Sequence, residues 1–167
     1  MKNQTILVFG GTGMLGNYCV NILEKNNEVV VIDRDSYDIV ENNSDKLFNI
    51  IESYKDAIII NCAGVIPQRD NSENNYYIIN SLFPKTLSII CSELKLRLIH
   101  MSTNCVFDYK DGMCDELKIP NETTSYGISK ILGEPENACV IRASIIGEEL
   151  VNKRSLLEWV LSKKTEK

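Results

Sequence analysis

Short apolar runs and helix-like segments alternate along the whole chain. The first run, residues 5–9, is continuous and partly β-branched, which is typical of a parallel strand that is buried on both faces. The predicted strands are residues 5–9, 28–32, 57–61, 97–101 and 139–142. Apolar residues elsewhere recur at helical spacing, and the predicted helices are residues 14–25, 47–54, a helix with Pro84 in its first turn that runs to Leu94, 125–134 and 155–163.

This alternation predicts one α/β domain over residues 1–167, built as a Rossmann-like, doubly wound parallel sheet with helices on both faces. We expect the strand order 3-2-1-4-5, where the numbers follow the chain. Residues 102–123 are polar and rich in turn signals. They form a long connection of the kind that often carries function.

The composition narrows the class of partner. The chain has 167 residues, a hydrophobic share of 44% and a net charge of −5 without long runs of like charge. These values fit a globular domain and argue against binding to nucleic acid or to a membrane. The six cysteines are scattered without a CxxC pair, which predicts neither a metal site nor a disulfide framework and favours a cytoplasmic protein. The apolar stretch at residues 6–9 is too short for a signal sequence.

The first predicted strand runs directly into glycines spaced as Gly-x-x-Gly-x-x-Gly. Gly10 permits the sharp turn, Gly13 lets a pyrophosphate approach the backbone, and Gly16 lets the next helix pack closely on the strand. Free amides and the helix dipole favour a dinucleotide phosphate here. The spacing is typical of short-chain dehydrogenases, and the alternative is a glycine-rich turn without a ligand. The residues expected to contact the cofactor are Gly10, Thr12, Gly13, Met14, Leu15 and Gly16.

The end of the second strand carries two residues that bear on the choice between NAD and NADP. Asp33 stands where a carboxylate accepts hydrogen bonds from the adenosine ribose, which favours NAD. Arg34 follows at once and is suited to a 2′-phosphate, which favours NADP. We therefore expect NADP or NAD as cofactor, and a solvated turn is the alternative for both residues.

Tyr126 and Lys130 lie four residues apart on a predicted helix, so both side chains share one face. A lysine charge near the phenol is expected to lower its pKa, so that Tyr126 exchanges a proton with a substrate oxygen near neutral pH. Lys130 is also expected to hold the ribose of the nicotinamide half. Thr103, with Ser102 beside it, ends strand four and is expected to hydrogen-bond the substrate carbonyl.

Ligands of open α/β sheets bind at the carboxyl ends of the strands. The segment after the third strand is therefore expected to line the same crevice. The further residues expected at the cofactor are Cys62, Ala63, Gly64 and Asn80. Asn104 and Arg69 are expected near the substrate, and ordinary solvent exposure is an equal alternative for Arg69.

Residues 101–108 (MSTNCVFD) and 120–134 (PNETTSYGISKILGE) resemble the dTDP-4-dehydrorhamnose reductases and their relatives in nucleotide-sugar and polysaccharide biosynthesis. The resemblance implies the extended short-chain dehydrogenase fold and NAD(P)H-dependent reduction of the 4-keto group of a nucleotide-activated 6-deoxy sugar. It places the family's catalytic threonine, tyrosine and lysine on Thr103, Tyr126 and Lys130. Asn104-Cys105 stands where the family usually has Asp-Tyr, which leaves the identity of the sugar open.

The family continues beyond the length of this chain. Residues 143–167 are therefore expected to begin a C-terminal substrate lobe that is truncated or missing. A nucleotide-sugar reductase is the leading hypothesis. The alternatives are a non-catalytic dinucleotide-binding regulatory subunit and a fragment of a larger nucleotide-sugar reductase or epimerase. The expected assembly is a homodimer or a subunit of a larger enzyme.

Overall fold

The structure, a computed structural model, describes residues 3–67, 72–148 and 155–163. Five strands form one parallel sheet in this part of the chain. The strands are β1 (Thr5–Phe9), β2 (Glu28–Ile32), β3 (Ile58–Asn61), β4 (Arg97–Ser102) and β5 (Cys139–Arg142). All five predicted strands are confirmed, with ends that differ by one residue at most. The α/β class and the parallel sheet are confirmed as well.

The strand order is β2-β1-β3-β4-β5, so the expected order 3-2-1-4-5 is wrong. β3 pairs with β1 on the side opposite β2, with Ile6 aligned with Ile58 and Phe9 with Asn61. An apolar run shows that a strand is buried, but it does not show which neighbour the strand joins, because ladder hydrogen bonds are made by the backbone. The winding direction therefore reverses between β1 and β3, and ligands of open sheets bind at such a switch point.

Helices cover both faces of this sheet. The α-helices in the described residues are α1 (Met14–Leu23), α2 (Ser44–Glu52), α3 (Glu73–Asn75), α4 (Phe83–Glu93), α5 (Ser125–Gly133) and α6 (Leu156–Lys163). Side-chain caps fix where two of them begin. Asn43 accepts from the Lys46 amide at the start of α2, and Thr124 accepts from the Gly127 amide at the start of α5.

Helix α4 begins at Phe83 with Pro84 in its first turn, as the sequence predicts, but other helical backbone comes directly before it. A π-helical segment, Tyr76–Leu82, joins α3 to α4, so that helical backbone runs from Glu73 to Glu93. Proline lacks an amide donor, and its ring clashes with the carbonyl four residues before it. The sequence therefore predicts that Pro84 lies in the first turn of a helix. In this structure the π-helical segment comes directly before α4. Such segments interrupt the regular hydrogen-bond pattern of an α-helix.

The carbonyl four residues before Pro84 belongs to Asn80, and it faces α5. A side chain at Gly133 of α5 would collide with the Asn80 carbonyl oxygen and come within 3.2 Å of the Pro84 ring. Helix α5 therefore packs on the π-helical segment backbone to backbone. This contact fixes where the helix that carries Tyr126 and Lys130 lies.

The apolar core has two parts, one on each face of the sheet. The larger part joins Phe9 and Leu7 of β1 to side chains of α2 and α4, and the rings of Phe9 and Phe83 meet edge to face at 5.3 Å. The smaller part, around Ile6 and Val8, packs against α1. The alternation of Ile6, Leu7, Val8 and Phe9 between two buried layers explains why β1 reads as a continuous apolar run.

None of the residues of α6 is buried. The prediction that residues 143–167 begin a second lobe stays a prediction. Within the three described ranges, no helix is both long and apolar enough to cross a membrane.

Candidate active site

The turn after β1 depends on glycines, because several of its positions leave no room for a side chain. Gly10 has a φ of +74°, and a Cβ there would lie 2.6 Å from the Ala63 amide nitrogen. Gly16 leaves no room for a side chain either, because its Cβ would collide with the Gly10 carbonyl oxygen. The turn is therefore closed tightly against α1 and against the end of β3, as the sequence predicts for these two glycines.

Gly11 has a role that the sequence reasoning missed. A Cβ on Gly11 would lie 2.8 Å from a methyl carbon of Val31, on the neighbouring strand β2. The sequence signal for this close approach is the doublet Gly10-Gly11, in which two glycines follow β1 directly. The spacing of the motif draws attention to Gly10, Gly13 and Gly16 and passes over the residue between them.

The first turn of α1 is open toward solvent at the point where a phosphate is expected. Gly13 is the N-cap residue, and no side chain caps the helix. Among the described residues, and apart from its neighbours in the chain, only the Gly10 carbonyl oxygen comes within 4 Å of a Cβ on Gly13, at 3.3 Å. Uncapped amides at a helix N-terminus suit an anion. Thr12 is exposed, and Met14 and Leu15 are partly buried beside it.

Asp33 and Arg34 are both exposed at the end of β2. One Asp33 carboxylate oxygen accepts from the Ser36 amide at 2.9 Å and from the Ser36 hydroxyl at 2.7 Å. These hydrogen bonds lower the pKa of Asp33, so the group is ionised at neutral pH. The position at the carboxyl end of β2, next to the glycine turn, is the one that the sequence predicts for a ribose contact.

The ends of β3 and β4 are joined by a buried amide. The Asn61 side chain accepts from the Ala63 amide at 3.0 Å and lies 3.1 Å from His100 Nδ1. Because the Asn61 oxygen is already an acceptor, its amino group donates to His100 and leaves the imidazole proton on Nε2. That nitrogen is buried without a partner in the described part of the chain. Burial, with Lys130 and Lys85 nearby, lowers the pKa of His100 to about 3.

Asn80 connects the segment after β3 to α5. Its side chain donates to the Val65 carbonyl at 3.0 Å and accepts from the Val65 amide at 2.9 Å. It also donates to the Ser129 hydroxyl at 3.1 Å. A Cβ on Gly64 would lie 3.4 Å from the Asn80 oxygen and 3.9 Å from Lys130 Nζ. The segment after β3 is therefore in contact with the helix of the predicted proton donor.

Tyr126 and Thr103 are brought together as predicted. The Thr103 side chain lies beside the Tyr126 phenol, and the Thr103 oxygen accepts from the Cys105 amide at 3.1 Å. The ring of Tyr76, a residue that the sequence reasoning did not single out, meets the Tyr126 ring edge to face at 6.0 Å. Tyr76 lies in the π-helical segment, so that segment also orients the phenol.

The expected effect of Lys130 on Tyr126 is wrong for this structure. Burial raises the pKa of Tyr126, and the hydrogen bond from Thr103 opposes that rise without cancelling it. The Lys130 ammonium donates instead to the Met101 carbonyl at 3.0 Å. Burial lowers the pKa of Lys130 to about 8, with Glu134 acting in the opposite direction. In this structure the phenol keeps its proton at neutral pH.

Ser102 has another partner than the expected substrate. It is buried, and its hydroxyl donates to Glu134 Oε1 at 2.6 Å. Arg142 of β5 holds the same carboxylate through Nε at 2.9 Å and Nη2 at 2.7 Å. Lys85 donates to the Glu134 carbonyl at 2.7 Å. Glu134, which the sequence reasoning left without a role, therefore ties the end of α5 to the ends of β4 and β5.

Asn104 and Arg69 are the other two residues that the sequence predicts near the substrate. Asn104 is exposed next to Thr103, and its side-chain oxygen accepts from the Ser144 hydroxyl at 2.6 Å. It borders a cleft of about 690 Å³ that also touches Phe107 and Arg142. Arg69 lies outside the described residues.

Comparison with known proteins points to one family. A family model described as the RmlD substrate binding domain matches residues 4–164. The chain is similar to the dTDP-4-dehydrorhamnose reductase of Aggregatibacter actinomycetemcomitans, with 33% identity over 134 residues, which cover 77% of this chain and 45% of that protein. The chain spans about half the length of the curated relatives it matches.

Solved structures show the same similarity. The structure of dTDP-4-dehydrorhamnose reductase from Yersinia enterocolitica matches with a TM-score of 0.82 at 25% identity, over 96% of this chain and 60% of that one. The dTDP-4-dehydrorhamnose reductase of Bacillus anthracis, solved in complex with NADP, matches with a TM-score of 0.69 at 24% identity, over 80% of this chain and 48% of that one.

Proposed function

Because this chain belongs to the RmlD substrate-binding-domain family, we propose that it binds NADP(H) or NAD(H) and reduces the 4-keto group of a nucleotide-activated 6-deoxy sugar. The observation that carries the proposal is the continuity of one crevice. Gly10 adjoins Ala63, Gly64 adjoins Lys130, and the hydroxyl of Thr103 reaches Tyr126. A cofactor site and a proton-donating site therefore share one edge of the sheet.

The residues of the glycine turn fit a dinucleotide. The gap that a Cβ on Gly13 would fill faces solvent, and the uncapped amides of α1 begin there. The diphosphate would lie against Gly13, Met14 and Leu15, and the adenosine ribose near Asp33 and Arg34. Cys62, Ala63, Gly64 and Asn80 would border the nicotinamide half, and Lys130 would hold its ribose. The reduced nicotinamide supplies a hydride when it is bound.

Each catalytic side chain has a task in the proposed reduction. Tyr126 is the proton donor, and its raised pKa keeps the proton on the phenol until the substrate oxygen takes it. Thr103 hydrogen-bonds that oxygen as its negative charge develops. The cofactor would supply the hydride for C4, and the Tyr126 proton would form the bond to O4, so that the ketone becomes an alcohol. Lys130, which donates to the Met101 carbonyl in this structure, would hold the ribose of the nicotinamide half.

The cofactor preference follows from the competition between Asp33 and Arg34. The Asp33 carboxylate is ionised and repels a 2′-phosphate, whereas Arg34 attracts it. Titrating Arg34→Ala with NADPH and NADH separates the two effects. A selective loss of NADPH affinity supports a 2′-phosphate contact, and equal affinities before and after the change argue against one.

The decisive experiment compares wild type with Tyr126→Phe. Both should bind NADPH with similar affinity, because the phenol oxygen is removed from the proton-donating side only. Reduction of 4-keto-6-deoxy nucleotide sugars, followed by the absorbance of the reduced nicotinamide, should fall about 10²- to 10⁴-fold in the variant.

Ile128→Val, a change on the same helix, is the matched control and should keep turnover. Dinucleotide binding without reduction of any 4-keto sugar would contradict the reductase function and leave a dinucleotide-binding subunit. Failure to bind either dinucleotide would contradict both.

A further inference from the structure

Two cysteines lie against each other beside the glycine turn. Cys19 is on α1, and Cys62 is the first residue after β3. Their sulfur atoms are 3.9 Å apart, and both cysteines are free thiols. They are 43 positions apart in the sequence, so the spacing of the cysteines gives no hint of the pair. The fold creates it by packing α1 on the face of the sheet to which Cys62 contributes.

We propose that Cys19 and Cys62 are an oxidisable thiol pair whose disulfide lowers the affinity of the adjoining turn for the dinucleotide. The sulfur atoms need to approach by only about 2 Å to reach the usual S–S bond length. Both side chains are partly exposed, so a small oxidant reaches them without unfolding.

The local chemistry favours Cys19 as the sulfur that reacts first. The Cys62 thiol donates a hydrogen bond to the Cys19 sulfur, which lowers the pKa of Cys19 and raises that of Cys62. A thiolate is the nucleophilic form of cysteine. A peroxide is therefore expected to attack at Cys19, with Cys62 as the resolving thiol.

The reaction balances with a peroxide as the oxidant. The Cys19 thiolate attacks hydrogen peroxide and breaks its O–O bond, which gives a sulfenic acid and, after protonation, one water. The Cys62 thiol then displaces the sulfenic hydroxyl as a second water and forms the S–S bond. Two thiols are oxidised by two electrons, and one peroxide is reduced to two waters. A dithiol reductant reverses the step.

The tightness of the turn explains why this bond affects the dinucleotide. Drawing Cys19 toward Cys62 moves α1 relative to the end of β3. The contact of Gly10 with Ala63 and the contact of Gly16 with Gly10 leave no space to absorb a movement. The change is therefore passed to the amides at the start of α1, where the proposed function puts the diphosphate. A displacement near 1 Å is enough to weaken a positioned contact substantially.

The test uses the full chain and reads the bond and the affinity separately. After treatment with hydrogen peroxide, peptide mapping by mass spectrometry should show a Cys19–Cys62 linked peptide that a dithiol reductant removes. The oxidised protein should bind NADPH about tenfold more weakly. In Cys19→Ser, the reduced protein should bind as wild type does and peroxide should have no effect on the affinity. Cys139→Ser, an exposed cysteine on β5, is the matched control and should keep the full response.

The bond is tested independently of the proposed function, although the loss of affinity rests on it. If the folded protein gives no Cys19–Cys62 peptide, or if other cysteines pair at the same rate, the inference is overturned. If the bond forms but NADPH affinity stays unchanged, its effect on the crevice is overturned. If the reduced protein binds no dinucleotide, the proposed function and the proposed effect on affinity fail together, whereas the peptide map still decides the bond itself.

Discussion

At the scale of single residues, the glycines of the turn serve different purposes. Gly16 is needed by the fold, because a side chain there would collide with a backbone oxygen that has no freedom to move. Gly13 borders only one atom, and its φ of −74° is open to any residue. The sequence motif presents the two as equivalent. The structure separates a packing requirement from a requirement for space beside a ligand.

This difference predicts opposite outcomes for two matched substitutions. Gly16→Ala should destabilise the protein by about 1–3 kcal/mol, as overpacking of a filled site does. Gly13→Ala should change the free energy of unfolding by less than about 1 kcal/mol but weaken NADPH binding at least tenfold, because a methyl group enters the path of the phosphate. Urea unfolding and NADPH titration measure the two quantities. Unchanged NADPH affinity in Gly13→Ala would contradict a phosphate site at this turn.

At the scale of elements, strand β4 shows how packing sets a protonation state. It buries His100 between the sheet and the helices and ends in Ser102 and Thr103, which anchor Glu134 and Tyr126 respectively. His100 is fully buried in this strand. Its bond to Asn61 and its unpartnered Nε2 depend on neighbours that only the tertiary fold supplies.

His100 therefore predicts a loss of stability in acid. Its pKa is about 3 in the folded protein, against 6.5 for an unperturbed histidine, so the unfolded chain takes up the proton first as the pH falls. The stability linked to neutral His100 is present above pH 6.5 and is lost progressively below it. Between pH 6.5 and about pH 4, wild type should lose about 3 kcal/mol more than His100→Gln in urea unfolding.

Because His100 is the only histidine of the chain, its imidazole signals are assigned without ambiguity by proton NMR. These signals should show no titration near pH 6.5 while the protein stays folded. A midpoint near 6.5 in the folded state would contradict the buried, neutral imidazole.

The elements differ in how far the sequence predicts them, and the reason is physical. Continuous apolar runs identify the strands, because strands of a covered parallel sheet are buried on both faces. The order of the strands depends on backbone pairing over long range, and the sequence carries no local signal for it. The sequence correctly puts Pro84 in the first turn of α4, but it carries no local signal for the π-helical segment before that helix, which packs against Gly133.

At the scale of the whole molecule, the candidate site is assembled from distant parts of one domain. The glycine motif and the Tyr126-Lys130 spacing are local and readable from sequence. The contacts that join them run through Asn80, Tyr76 and Glu134. Their partners Ser129, Tyr126 and Ser102 lie 32 to 50 positions away in the sequence. Asn80 is expected at the cofactor from the sequence, whereas sequence reasoning assigned no role to Tyr76 and Glu134, because their partners meet them only in the fold.

A site assembled in this way couples dinucleotide binding to the stability of the entire domain. NADPH at about one hundred times its dissociation constant should raise the free energy of unfolding by about 2.7 kcal/mol. Thermal or urea unfolding with and without NADPH measures the gain, and Gly13→Ala at the same ligand concentration should show a much smaller one. Inorganic phosphate is a control for general ion effects. An equal gain with phosphate would argue against a dinucleotide site.

The backbone contact between Gly133 and Asn80 has a mechanical consequence. Most neighbouring helices are separated by side chains, which change rotamer and let the distance between the helices fluctuate. No side chain intervenes here. The spacing between the helix that carries Tyr126 and the π-helical segment is therefore set at this point by van der Waals contact between two backbones. Changes of side-chain rotamer therefore do not alter the distance at this contact between the helix that carries Tyr126 and the π-helical segment.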